Sequence, residues 1–481
     1  MESLLSHGNM TIRKTALEIL EAGLSASDPY ENVKKLVRRE GDRLIVGNRD
    51  FEPPGSPLSG DEVIDLNEID NIYVIGAGKG IQRAVKAIEE VLGDRLTGGH
   101  VIDKKGYPVS LEKVGVTMAG HPVPDEDCVK GCERILSFTK GLTEDDLVFT
   151  CVGSGVSSLL TMPVPGVSLE DVRKVTYLMQ LERGATTKDL NAIRNHLDMM
   201  KGGRISRMIR PAKAIHIIPK PLRTYEQIMH NNNFLHTLPD YTTFQLAVDN
   251  LKKYDAWDAV PSSVRRFLEK ADPRHESIKA EEFEKAPCRI FFVMPLTGPS
   301  AELPSAMRKS SELGFRPVSL AERMDSVEAY HAGTFASAIA RTIESIGQPV
   351  EPPCALFSMG EMIVTVGKEK GIGGRNQEFV LSAARGIAGS ENIVIASVDT
   401  DGTDGPGNQF SDESSDLPPC LSGGIVDGYT LAEAKDAGFD IQAELKNHNT
   451  SPVLWKLNNG ILATPNISLL DLTVILVSGR A

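Results

Sequence analysis

No two of the six cysteines, at 128, 132, 151, 288, 354 and 420, stand in CxxC spacing. A thiol zinc centre is therefore not expected. Scattered thiols in a chain of 481 residues suit a reducing cytoplasm and read mostly as small buried hydrophobes. Basic charge is also scarce. The formal net charge is −13, without the basic footprint that nucleic-acid binding requires. An acidic protein can still hold a locally basic site, so a small anionic substrate stays open. No window holds about 18 uninterrupted apolar residues, so no membrane span is expected. The start, Met1-Glu2-Ser3-Leu4-Leu5, lacks the basic segment and apolar core of a secretory signal, which agrees with a cytoplasmic location. No internal repeat is visible at a fixed period.

The patterning is that of an α/β protein. Ile12, Ala16, Ile19, Leu20 and Leu24 recur at helical steps within residues 10–40. Short apolar β runs then alternate with helical segments. Ile72–Ile75 precedes a helix near 80–92, Leu147–Val152 precedes helical sequence near 168–184, and Ala214–Ile218 follows. This alternation predicts a mostly parallel sheet covered on both faces. Residues 240–285 read as charged and helical, broken at Pro261, Pro273 and Pro287, and place a domain junction at about 280. A second β-rich set is expected at Arg289–Met294, Ala355–Met359, Met362–Val366, Asn392–Val398 and Leu472–Val477, with helices at 300–312 and 326–347. A second, mostly parallel α/β domain is the expectation.

Gly76-Ala77-Gly78-Lys79-Gly80 follows the first apolar run directly. Glycines permit a tight turn and close backbone approach, and the helix start offers free N–H groups. Gly76, Gly78 and Gly80 therefore suggest an anion cradle, with Lys79 supplying charge. An ordinary βα turn with an exposed lysine is the competing reading. The spacing is neither GxGxxG nor a Walker A loop, since Ile81 stands where the third glycine would be. Cys151-Val152-Gly153-Ser154-Gly155 also follows an apolar run, and Gly153, Ser154 and Gly155 suit a phosphate or carboxylate. It is too short for a GxSxG nucleophile elbow.

His121, in a compact Gly-His-Pro-Val-Pro-Asp turn, suits acid/base work or a substrate contact. Asn191, Arg194 and Asn195 share a helix face, and Lys201 and Arg204 follow; this density of donors fits an anionic substrate. Further along, Gly371-Ile372-Gly373-Gly374-Arg375-Asn376-Gln377-Glu378 places Arg375 at another glycine-rich helix start. Arg375 there can meet a carboxylate or a transferring phosphoryl group. The run ending in Asp399-Thr400-Asp401-Gly402-Thr403-Asp404 has the look of a magnesium site or of a plain Asp/Gly turn.

These segments, in this order, resemble the glycerate 2-kinase family, whose C-terminal part is called MOFRL. The likeness rests on Gly76–Lys79, Gly120–Asp125, Asn191-x-x-Arg194-x-His196-Leu197, Lys201–Arg204, Gly373–Glu378 and Asp401–Pro406, and spans about residues 70–475. It implies an N-terminal Rossmann-like α/β domain over 1–280 and a MOFRL-like α/β domain over 281–481, with a cleft between them. It also implies phosphorylation of D-glycerate at its 2-hydroxyl with ATP and magnesium. Lys79 and Arg375 match the family's catalytic lysine and arginine. His121, Asn191, Arg194, Lys201 and Glu378 are then expected at the substrate, and Asp401 and Asp404 at magnesium. A homodimer is left open.

The chain departs from the family pattern in three loops. Val152–Leu160 replaces a richer Ser/Gly run. Pro219-Lys220-Pro221-Leu222-Arg223, then Asn231–Phe234, stands where the family carries aspartates and an SGPT turn. Ala463-Thr464-Pro465-Asn466-Ile467-Ser468 replaces TGPTGTN. The losses fall on groups suited to phosphate and metal. Lys220 and Arg223 supply positive charge instead. An isomerase or lyase acting on a sugar acid or hydroxy acid without ATP is therefore the alternative expectation.

Overall fold

A computed structural model of the chain describes residues 2–106, 108–286, 288–295, 298, 301–368, 371–406, 418–463 and 470–479. Pro287, Glu369, Lys370 and most of the divergent 463–468 loop lie outside the described residues. The chain divides into two compact units, Pro29–Pro295 on the one hand and Met1–Asp28 with Leu296–Ala481 on the other.

The first unit opens with a small antiparallel sheet, β1 (Val37–Glu40), β2 (Arg43–Val46) and β3 (Glu62–Asp65). Its main sheet contains β4 (Asn71–Ala77), β5 (Gly98–Lys104), β6 (Gly115–Ala119), β7 (Asp146–Val152), β8 (Lys213–Ile218) and β9 (Cys288–Phe292) in the order β6-β5-β4-β7-β8-β9. Every pair in it is parallel. All seven residues of β7 are buried, as a central strand between two helical layers demands. Separate apolar clusters cover the two faces, one around Ile75, Val148 and Phe292, the other around Val74, Phe149 and Phe291. A third cluster, built by helices between Leu169 and Lys270, has its own core of Val175, Leu190, Ile193 and Phe244.

The second unit holds β10 (Arg316–Ala321), β11 (Cys354–Gly360), β12 (Ile393–Asp399), β13 (Gly423–Asp427), β14 (Gly460–Ile461) and β15 (Asp471–Val477), ordered β10-β11-β15-β12-β13-β14. Only the β10–β11 pair is parallel; the others are antiparallel. The mostly parallel expectation thus holds for the first sheet and fails for the second. Continuous apolar runs mark burial on both faces, and they do so whichever way the neighbours run.

Three other expectations shift. Met362–Val366 forms no strand; it makes a single bridge, Ile363 to Glu328, and Ile363 and Val366 stay exposed. The run at 289–294 forms β9, which pairs with β8 and closes the first sheet rather than opening the second. The opening helix, Met10–Ala26, belongs to the second unit, not to a 1–280 domain. Its Ile12, Ala16 and Leu20 join Leu303, Phe357 and Leu472 in one cluster. The buried Arg13 anchors it by an ion pair to Asp427 at 2.9 Å and by hydrogen bonds to Leu4 and Asn459. Helical periodicity shows which face is buried, not which sheet receives it.

Candidate active site

In the first unit, loops that leave the carboxyl ends of β4, β6, β7 and β8 carry most of the expected site residues. This is where an open parallel sheet gathers its ligands. The Gly76–Gly80 turn is shaped by contact with its neighbour. A Cβ on Gly76 would stand 1.8 Å from the Cys151 carbonyl oxygen, and one on Gly78 would stand 2.9 Å from Gly153 Cα. Only glycine lets these two backbones pass so closely.

That contact also uses up the amides expected to cradle phosphate. Gly78 N donates to Ile102 O at 3.0 Å, Lys79 N to Ser154 O at 2.7 Å, and Gly153 N to Ala77 O at 3.1 Å. Gly80 N donates to the Asp103 carboxylate at 2.8 Å. Gly78, Gly80 and Gly153 therefore serve the turn itself, which corrects the expectation that their amides hold a cofactor. Gly155 has φ +74°, and a Cβ there would press on the His121 ring at 2.9 Å and the Lys79 stem at 3.0 Å. The glycine thus lies between Lys79 and His121 and lets all three meet.

Beside this corner lies a cavity of about 590 Å³. The strand-end loops line one side with His121, the Gly153–Ser158 segment, Lys220 and Arg223. The Thr187–His196 helix lines another with Lys188, Asn191 and Arg194, spaced three residues apart on one face. No aspartate or glutamate appears among the described lining residues. Lys220 Nζ donates to Ser154 Oγ at 2.9 Å, and its pKa is lowered by burial and by the nearby Lys79 charge. Burial brings Arg194 down to about 10; its Nε donates to Thr176 Oγ1 at 3.3 Å. The Arg223 guanidinium stacks 5.1 Å from the Phe234 ring centre. Burial, helped by Lys79 and Lys104, pushes His121 down to about 4, so its imidazole is neutral at neutral pH.

Lys201 is not among the lining residues. It is 1% exposed, and its ammonium pairs with Asp198 at 2.6 Å and donates to Thr161 at 2.9 Å. A buried lysine so engaged holds the chain together and is not available to a substrate. Gln180 and Lys188 line the cavity without having been singled out from sequence. Gln180 sits in a five-residue π turn, Leu178–Glu182, for which the sequence carries no signature.

The second unit treats its candidates differently. Arg375 begins the Arg375–Gly386 helix, but its guanidinium is held by carboxylates. Nε and Nη2 grip Asp471 at 2.6 and 2.8 Å, and Nη2 reaches Asp399 at 2.7 Å. Neither aspartate was singled out from sequence as Arg375's partner. Burial raises the pKa of both, with added repulsion from Asp401 and Asp471 at Asp399 and from Glu361 at Asp471, and Arg375 opposing. Glu302 is fully buried nearby, its pKa raised well above the usual range by burial and by the Asp471 and Asp399 charges. Asp404 is buried and accepts from Asn376 N at 3.2 Å and Gln377 N at 3.0 Å, capping the same helix. Both of its oxygens are thereby engaged, so it does not fit the expected role of magnesium ligand. Asp401 uses Oδ1 to hold Thr403 N and Oγ1. Glu378 is buried against His448. Among the described residues, no group of three or more His, Cys, Asp or Glu could hold a metal ion.

The chain matches the domain of unknown function DUF4147 over residues 15–220 and the MOFRL family over residues 354–468. It is 33% identical to glycerate 2-kinase of Pyrococcus horikoshii across 95% of this chain and 94% of that protein. This chain belongs to the glycerate 2-kinase family. D-glycerate 2-kinase of Thermotoga maritima is 32% identical across 84% of this chain and 90% of its own length. Solved structures agree with this membership. A Pyrococcus horikoshii OT3 protein superposes with a TM-score of 0.75 at 30% identity, covering 98% of this chain and 99% of that one. The glycerate kinase of Thermotoga maritima gives 0.74 at 30% identity, covering 97% and 99%. The glycerate 2-kinase family therefore accounts for both units of the chain. No described helix is long and apolar enough to cross a membrane.

Proposed function

We propose that the chain transfers a phosphoryl group from ATP to the 2-hydroxyl of D-glycerate or a closely related small hydroxy acid. The observation that carries this reading is a cationic cavity, free of carboxylates among its described lining residues, at the strand ends of a glycerate 2-kinase family member. Arg194 would take the acid's carboxylate, since a guanidinium binds it in a fixed geometry. The Asn191 amide oxygen, buried without a partner among the described residues, would accept from the hydroxyl. Lys79, Lys220 and the amides at the start of the short Val156–Leu159 helical turn would neutralise a phosphoryl group that spreads charge over its oxygens. Neutral His121 is an acceptor for the proton the hydroxyl loses.

ATP would supply the phosphoryl group, and magnesium would neutralise its oxygens. Asp404 does not fit magnesium, and Asp401 keeps only Oδ2 outside its own turn among the described contacts. The match of Arg375 to the family's arginine supports a part for it in the reaction; Asp399 and Asp471 would then hold it in place.

The test is ADP release with ATP, magnesium and D-glycerate, compared with Lys79→Ala and Arg375→Ala at unchanged melting temperature. Acid-dependent ADP release, abolished by both substitutions, is expected. Absence of any nucleotide binding at millimolar ATP removes the kinase reading. A second reading, isomerase or lyase chemistry without ATP, is favoured by one observation: burial and Lys79 lower the pKa of Lys220, as a nucleophilic lysine requires. Turnover of a hydroxy acid without nucleotide, lost in Lys220→Met, would select it.

A further inference from the structure

Of the cations that line the cavity, Lys188 lies over the Tyr241 ring and Arg223 has no part in the function proposed above. Lys79, Lys220 and the Gly153–Ser158 segment sit together at the strand ends and suffice for phosphate. Arg194, on the opposite helix, suffices for one carboxylate. Arg223 is then left over. It lines the same cavity from the loop after β8, stacked on Phe234, and its Nη1 is buried without a hydrogen-bond partner among the described residues. Leaving a guanidinium nitrogen buried and unpaired is costly unless a ligand completes it. No described carboxylate lines the cavity to do so.

We infer that the acceptor is a hydroxy acid with two anionic ends, one on Arg194 and the second on Arg223, with the hydroxyl between them on Asn191. This rests on the function proposed above and narrows its substrate class. The second anionic group is a carboxylate or a phosphate ester; Arg223 presents the same chemistry to either.

Isothermal titration of the full chain, without nucleotide, tests it with three probes. D-glycerate carries one carboxylate. Hydroxymalonate carries two on the same carbon skeleton. 3-Phosphoglycerate carries a carboxylate and a phosphate ester. Tighter binding of one dianion than of glycerate, by about tenfold or more, is expected, and which dianion wins identifies the second group. In Arg223→Met, which keeps an apolar stem on Phe234, the ratio should fall to below about threefold; Arg223→Lys should recover part of it. Glycerate bound as tightly as both dianions overturns the inference, and so does an unchanged ratio in Arg223→Met. The wild-type comparison decides even if that variant does not fold. Failure of the proposed function shows itself separately, as no ADP release with any of the three acids.

Discussion

Asp404 offers the sharpest separation between a structural and a catalytic reading. Its carboxylate accepts from the Asn376 and Gln377 amides at the start of the Arg375–Gly386 helix, and it is 2% exposed. Asp404→Asn and Asp404→Ala both remove the charge; asparagine keeps one oxygen, for one of the two amides, and turns its NH2 toward the other, whereas alanine keeps none. Each buried amide left unpaired costs about 1–3 kcal/mol, and a lost helix cap about 0.5–2 kcal/mol. Alanine should therefore be less stable than asparagine by the pairing of one amide, about 1–3 kcal/mol. The charge itself is unwelcome: burial and Asp471 raise the Asp404 pKa to about 6. The fold thus binds more proton than the unfolded chain between pH 4 and 6, and this group's contribution falls as pH rises through that window. Both variants should lack that fall. The chain's tryptophans are Trp257 and Trp455, one in each unit, so Trp455 fluorescence in a Trp257→Phe background reports unfolding of the unit that holds Asp404. Equal urea midpoints for the two variants would refute the cap. Lost activity at unchanged stability in both would return Asp404 to the metal role its sequence suggests.

Three other outcomes follow from the geometry. Gly76→Ala places a Cβ 1.8 Å from the Cys151 carbonyl, where neither backbone can yield, and should cost roughly 3 kcal/mol or more in a melting experiment; a melting temperature within a degree of wild type would contradict the close approach. Burial lowers the His216 pKa to about 3, so the unfolded chain binds its proton first and stability is lost as pH falls below about 6.5. His216→Gln should therefore lose about 2 kcal/mol less than wild type between pH 7 and pH 5, as read by urea midpoints; parallel losses would sink this. Asp471→Asn removes the charge that grips Arg375 twice, and should lower kcat by up to about 100-fold with a smaller change in KM; unchanged kcat would show that Arg375 needs no such support.

The site was legible in parts, and the parts differ in kind. Lys79, His121, Gly155, Asn191 and Arg194 announce themselves by glycine turns and by spacing along one helix face, and the fold does bring them to one corner of the first unit. Lys201 belonged to an equally polar segment, yet it pairs with Asp198 in the interior. A lysine looks the same in sequence whether its partner is a ligand or an aspartate three residues away. The amides of Gly78, Gly80 and Gly153 looked free because each follows a strand; their partners, Ile102, Asp103 and Ala77, are set by the sheet. Asp399 and Asp471 escaped notice as partners of Arg375 because 24 and 96 residues separate them from it.

By itself the sequence determined the alternating strands and helices, the glycine positions where two backbones must pass, and family membership through Gly373–Glu378 and Asp401–Pro406. These are local properties: apolar periodicity and the absence of a Cβ act within a few residues. The tertiary structure alone decided strand direction in the second sheet, the transfer of β9 to the first sheet and of Met10–Ala26 to the second unit. It also decided which charges are spent on each other and which still face the cavity. Burial, hydrogen-bond pairing and desolvation depend on atoms that the chain brings together from afar, and no local pattern carries them.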